Sequence, residues 1–228
     1  DINVLPLAHR HKKLLVADMD STIISCECLD ELADMAGLKP RIAAITERAM
    51  RGEIEFESAL RERVALLKGL AVTALERTYA ERVRLNPGAK ALVATMKAHG
   101  ARALLVSGGF TYFTQRVAEA AGFDDHQANV LLDDVKTLIG TVREPILGRE
   151  AKLAALEAEA ERLGIDMEDT LAVGDGANDL AMIRRAGLGV SYHAKPVVAE
   201  AADASITHGD LRALLYLQGY RDEEIVEF

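Results

Sequence analysis

Asp18 and Asp20 follow directly on the apolar run Leu14-Leu15-Val16-Ala17. In an extended chain residues two apart point the same way, so both carboxylates face one side of the strand's exit. Two carboxylates that close repel, and a divalent cation is the usual remedy. Asp175, after the apolar run 171–174, adds a third oxygen ligand. A few carboxylates completed by waters suit Mg²⁺. A third apolar run, 103–106, ends in Ser107-Gly108-Gly109, where a hydroxyl and two bare backbone N–H groups can approach an anion closely. A lone D-x-D is most often a pair of loop or cap carboxylates, and SGG is often only a turn. Three runs that end in matching chemistry weigh against that bland reading. Ser21 or Thr22 is placed to cap the helix that follows. Lys152 lies early in a helix, where most lysines are solvated.

These residues need a scaffold that brings distant strand tips together. Continuous apolar runs read as strands buried on both faces, the mark of a parallel sheet covered by helices. In such sheets ligands sit outside the carboxyl ends of the strands. The pattern predicts strands at 13–18, 101–106, 170–174, 188–191 and 204–206, with helices at 87–98, 110–121, 148–163 and 177–186. Four helical stretches, 27–36, 40–51, 56–68 and 72–83, follow one another with no strand among them, and Asn86-Pro87-Gly88 closes the series. Residues 125–147 alternate in short pieces around Asp133-Asp134, as a β-hairpin does. The expected fold is α/β: a Rossmann-like parallel sheet flanked by helices, with a small helical cap insertion and a β-hairpin insertion. The expected core is 1–26 with 87–228, and the cap is 27–86.

Composition narrows the function classes. The chain has 228 residues, half of them hydrophobic, enough for one main domain with an insertion. A net charge of −9 argues against a nucleic-acid or anionic-membrane surface and favours a small ligand. No apolar stretch is long enough to span a bilayer and no leader pattern opens the sequence. Cys26 and Cys28 are too few for a zinc site and poorly spaced for a disulfide, so reduced, partly buried thiols and a cytoplasmic setting are expected.

Taken in order, DMDST (18–22), the Ser107 strand tip, Lys152 and GDGAND (174–179) resemble the four motifs of the haloacid-dehalogenase-type phosphatases. The resemblance covers nearly the whole chain. The usual D-F-D is D-M-D here, which leaves both carboxylates in place. It implies that Asp18 is a nucleophile that becomes an aspartyl phosphate, and that Asp20 is the general acid and base. Mg²⁺ is then held by the Asp18 side chain, the Asp20 main-chain carbonyl and Asp175. Ser107, the Gly108 amide and Lys152 hold the phosphoryl oxygens, with Asn178 nearby and Asp179 orienting metal waters or Lys152 from behind. Glu27, the phrase GEIEFESALRERVALLKGL (52–70) and the small cap are similar to the branch that hydrolyses phosphoserine in the last step of serine biosynthesis. On that resemblance Glu27 and Arg63 meet the ammonium and carboxylate of phosphoserine, while Met50 and Phe56 close over it. By spacing alone Arg63, Met50 and Phe56 are a surface ion-pairing residue and cap core. Residues 1–12 match no catalytic element, and longer relatives carry an N-terminal regulatory domain not seen in this sequence. Two alternatives stand beside this reading. One is the same fold acting on another small phosphomonoester or transferring phosphate to an alcohol; the other is a receiver-type signalling domain, against which the cap and Asp20 count.

Overall fold

Strand β1 (Leu14–Ala17) carries four side chains with no exposed surface, and they divide by turns between two layers. Leu15 and Ala17 join the larger apolar core, Leu14 and Val16 the smaller one on the opposite face. That two-sided burial is what a period of two imposes on a central strand. In this computed structural model, which describes residues 1–51 and 53–228 with the Met50 side chain also outside the description, β1 lies at the middle of a six-stranded parallel sheet. Its neighbours are β2 (Arg102–Phe110) on one side and β6 (Thr170–Gly174) on the other. The order is β3-β2-β1-β6-β7-β8, with β3 at Asp125–Asn129, β7 at Leu188–Tyr192 and β8 at Ala204–Ile206. The chain therefore reverses its direction of winding at β1, and a crevice opens at the carboxyl ends of β1, β2 and β6.

Helices α1 (Cys28–Met35), α2 (Lys39–Met50), α3 (Phe56–Ala65) and α4 (Thr73–Arg82) come between β1 and β2 and add no strand to the sheet. They leave and return through one paired stem. Ser25 N–H donates to the Arg84 carbonyl, Asn86 N–H donates to that of Ile23, and the Asn86 side-chain amide donates to Thr22 and Ile24 carbonyls. Helices α5 (Ala89–Ala98) and α6 (Thr111–Ala121) pack with the larger core, α7 (Arg149–Leu163) and α8 (Leu180–Arg185) with the smaller.

Several boundaries differ from those the sequence predicts: the helix expected over 56–68 ends at Ala65, and the one expected over 177–186 begins only at Leu180. Helix α5 begins at Ala89 and not at Pro87, because Gly88 adopts a left-handed conformation (φ +82°) that no helix continues through. Strand β2 runs on to Phe110, four residues past its expected end at 106 and through the expected serine-glycine turn. Residues 125–129 are not an arm of the hairpin but the parallel edge strand β3, paired with β2; the polar string Asp-His-Gln-Ala-Asn carries no strand signal because its exposed edge needs none. The hairpin proper is β4 (Leu131–Asp133) with β5 (Leu138–Val142). It bonds to the turn between α3 and α4, with Leu138 N–H donating to the Leu70 carbonyl and Val72 N–H to that of Lys136, each within 2.9 Å. No helix among the described residues is long and apolar enough to cross a membrane.

Candidate active site

Each strand tip hands its next residues to the crevice. After Ala17 the chain leaves β1 through residues 18–24, where Ser21 takes a positive φ of 55°. Asp18 still bonds to the sheet through its N–H to the Val173 carbonyl at 3.0 Å. Its Oδ1 accepts from Met19 N–H at 2.8 Å and lies 2.7 Å from Lys152 Nζ. Lys152, one turn into α7 and only 3% exposed, also donates to Asp179 Oδ1 at 2.5 Å. An ammonium so placed is held by two buried carboxylates. Burial alone lowers its pKa, and Asp18 and Asp179 overcome that and raise it, so Lys152 stays charged.

Asp20 points elsewhere. Its Oδ1 accepts from Cys28 N–H at 2.9 Å, and its Oδ2 accepts from the Ser107 hydroxyl at 3.3 Å. The expected cap of the following helix is thus provided by Asp20, from seven residues before Glu27's own position at the helix start. Ser21 and Thr22 are not caps: Ser21 donates to Glu27 at 2.6 Å and Thr22 to Asp175 at 3.2 Å. Burial first and the Glu27 charge second push the Asp20 carboxyl up to about 7. That is the range a group needs in order both to give and to take a proton near neutrality.

Ser107 accepts from Gly109 N–H at 2.9 Å while its own proton goes to Asp20. A Cβ at Gly109 would sit 3.1 Å from both Asp20 Oδ2 and Ser107 Oγ, so glycine is what lets this backbone come so near. Phe56, first residue of α3, reaches over from the helical insertion: its ring lies 3.3 Å from where a Gly108 Cβ would be.

Carboxylate oxygens of Asp18, Asp175 and Asp179 all lie within 4.8 Å of one another. Burial and the Asp179 charge raise the Asp18 carboxyl, and the same two causes push Asp175 up to about 6. An all-oxygen donor set whose charges crowd and lack solvent fits a hard cation, which would offset both effects. The Asp20 side chain stands outside this cluster. Asp179 stands inside it, although its oxygens are also engaged by Lys152 and by Gly176 N–H at 3.0 Å.

A cleft of about 530 Å³ rises from the carboxylates to the helical insertion. Asp18, Asp20, Glu27, Phe56, Arg63, Ser107, Gly108, Asp175 and Asn178 line it. Lys152 lies beneath its floor, bonded to Asp18. Arg63 is half-buried and donates Nε to the Ala59 carbonyl; burial lowers its pKa and Asp30 and Glu27 oppose the fall. Met50 was expected here, and its side chain lies outside the described residues. Thr46, Glu55 and Arg149 also line the cleft, and nothing in their type or spacing separates them from ordinary helix-surface residues. Cys26 and Cys28 beside the crevice are both free thiols, as expected from their spacing.

A parallel sheet with this winding order, a carboxylate pair at β1 and a lysine behind it define a hydrolase of one large class. The sequence matches the haloacid dehalogenase-like hydrolase family over residues 15–184, and the chain belongs to it. Within that family it is 50% identical over 210 residues to a phosphoserine phosphatase of Polaromonas sp., spanning 90% of this chain and 89% of the relative. Among solved structures it is similar to a substrate-bound phosphoserine phosphatase complex (TM-score 0.83, 40% identity, 90% of this chain and 97% of that one). It is equally similar to a phospho-aspartyl intermediate analogue of phosphoserine phosphatase (TM-score 0.82, 41% identity, 90% and 98%).

Proposed function

We propose that this chain hydrolyses O-phospho-L-serine to L-serine and phosphate through an aspartyl phosphate on Asp18. The observation that carries the reading is the convergence, in one cleft, of an Asp18 paired with buried Lys152, an Asp20 that accepts from Cys28 N–H and the Ser107 hydroxyl, and the side chains of Glu27 and Arg63 along the same walls. Asp18 Oδ1 is tied to Met19 N–H and Lys152, so Oδ2 is the oxygen directed at phosphorus. As the Asp18–phosphorus bond forms, the bond from phosphorus to the serine oxygen breaks and that oxygen takes the Asp20 proton. Water then attacks the aspartyl phosphate, Asp20 takes its proton, and phosphate leaves. Ser107, the Gly108 amide and Lys152 stabilise the equatorial phosphoryl oxygens throughout.

Asp18, Asp175 and the Asp20 carbonyl would hold Mg²⁺, with Asp179 supporting from beside Lys152. When bound, the ion lowers the repulsion between the attacking carboxylate and the phosphate. Glu27 offers its carboxylate to the ammonium, and Arg63 offers a guanidinium to the carboxylate in the bidentate geometry that suits it. Phe56 stacks over the phosphate loop and excludes water. Two free thiols are compatible with a reducing, cytoplasmic setting.

Phosphate release from a panel of phosphomonoesters in Mg²⁺ tests this. Phosphoserine should give the highest kcat/KM. A flat profile, or a phosphorylated protein that persists for minutes, would put the same fold to another use.

A further inference from the structure

The phosphate loop on β2 and the lysine helix α7 are separate elements, yet the clamp works only if their spacing is fixed. Asn129, the last residue of β3, is 2% exposed and joins them. Its Nδ2 donates to the Gly108 carbonyl at 2.9 Å and to the Leu147 carbonyl at 3.2 Å, and its Oδ1 accepts from Leu147 N–H at 2.8 Å. A flipped amide would set an oxygen against two carbonyls, so the partners themselves decide its orientation.

Two consequences follow from ordinary backbone geometry. In a trans peptide the carbonyl and the next N–H point in opposite directions. Pinning the Gly108 carbonyl therefore turns Gly109 N–H the other way, onto Ser107 Oγ at 2.9 Å, and that hydroxyl donates to Asp20. On the other arm, Leu147 precedes Gly148, which starts α7, and Lys152 follows one turn on. Holding both polar groups of Leu147 fixes where that helix begins and so where the Lys152 ammonium stands.

We infer that Asn129 is a positioning residue for phosphoryl transfer: it sets the Ser107-Gly108-Gly109 loop and the Lys152 helix at the separation a phosphoryl group needs. The inference rests on the phosphatase reading above. It touches neither substrate nor the acid, and it acts on the end that every phosphomonoester shares.

The test compares wild type with Asn129→Ala and with the isosteric Asn129→Asp, which keeps the Leu147 N–H contact and loses both donors. Each should lower kcat/KM about thirtyfold, equally for phosphoserine and an aryl phosphate, and raise the inhibition constant of inorganic phosphate about tenfold, all normalised to the folded fraction by circular dichroism. Equal loss on both substrates distinguishes this from a change at Arg63, which spares aryl phosphates. A merely structural Asn129 predicts a lower melting temperature with unchanged phosphate affinity in the folded fraction, and that result overturns the inference. Should one variant not fold, Asn129→Ser, whose hydroxyl can serve one carbonyl, carries the comparison with an intermediate loss expected. Wild type inactive on phosphoserine overturns the phosphatase reading instead; wild type active with unimpaired variants overturns only the role of Asn129.

Discussion

Replacing Lys152 by methionine keeps the length and apolar stem of the side chain and deletes its charge. In the native protein that charge sits 2.7 Å from Asp18 and 2.5 Å from Asp179, with the three side chains 3%, 8% and 0% exposed. Removing one partner of a pair buried so deeply costs about 3–5 kcal/mol, because the remaining carboxylates are left dry and uncompensated. For a chain of this size that is a fall in Tm of roughly 6–20 °C. The loss should depend on pH, and its sign follows from the carboxyls. Burial and Asp179 already raise Asp18 above its ordinary value, and deleting Lys152 removes what opposes that rise. A carboxyl raised on folding contributes its stability below its unfolded value, about 4, and loses it as pH climbs through the folded one. The wild-type lysine is itself raised, so its contribution is intact at any pH below its ordinary value of about 10.4. The deficit of Lys152→Met should therefore be full at pH 8 and clearly smaller at pH 5. Urea denaturation followed by circular dichroism at both pH values reads it, in EDTA so that no divalent cation compensates the carboxylates. Turnover on phosphoserine and on an aryl phosphate should fall together by about 10³. A deficit below about 1 kcal/mol at pH 8, or one equal at both pH values, would refute the buried-pair argument.

Asp18→Asn should cost about 10⁴ or more in turnover, since an amide is no anionic nucleophile. Its Tm should stay within a few degrees of wild type, because Asp179 still compensates the Lys152 charge and one of three crowded carboxylates is gone; substantial residual phosphate release ends the covalent mechanism. Asp20→Asn should cost about 10²–10⁴ on phosphoserine and far less on an aryl phosphate, whose leaving group needs little protonation. With Asp20 near 7, wild-type kcat/KM on phosphoserine should decline above that pH, and a flat profile from pH 6 to 9 contradicts the assignment. Mg²⁺ should support turnover and Ca²⁺ inhibit it, because Ca²⁺ takes carboxylates bidentately and ties up the attacking oxygen of Asp18; comparable rates in the two ions show that Asp18 is not a ligand. Arg63→Ala and Glu27→Gln should each lower kcat/KM on phosphoserine at least about tenfold, or ~1.4 kcal/mol, and spare aryl phosphates, whereas equal losses on both substrates make them braces of the helical insertion.

Much of this arrangement is legible in the sequence, for a local reason. A strand buried on both faces must be apolar without a break, so Leu14–Ala17 and Thr170–Gly174 announce themselves, and the polar residues that end them are marked by contrast. The parallel sheet and the placement of Asp18, Asp175 and Ser107 at its carboxyl edge follow from those runs. The motif order then names the family, which the comparison with known proteins supports.

What the tertiary structure alone decided concerns groups whose meaning lies in a distant partner. Lys152 looks like any helix lysine until α7 packs beneath β1 and two carboxylates close on it. Asp20 becomes a helix cap, buried at the crevice beside Ser107, only because the chain turns through Ser21 and brings Cys28 N–H back to it. Edge strand β3 escapes sequence reading since one exposed side imposes no apolar pattern on it. Asn129, at its end, has no local signal at all. Its three hydrogen bonds reach 21 residues back and 18 forward, and only a folded chain brings those backbone groups within reach of a single buried amide.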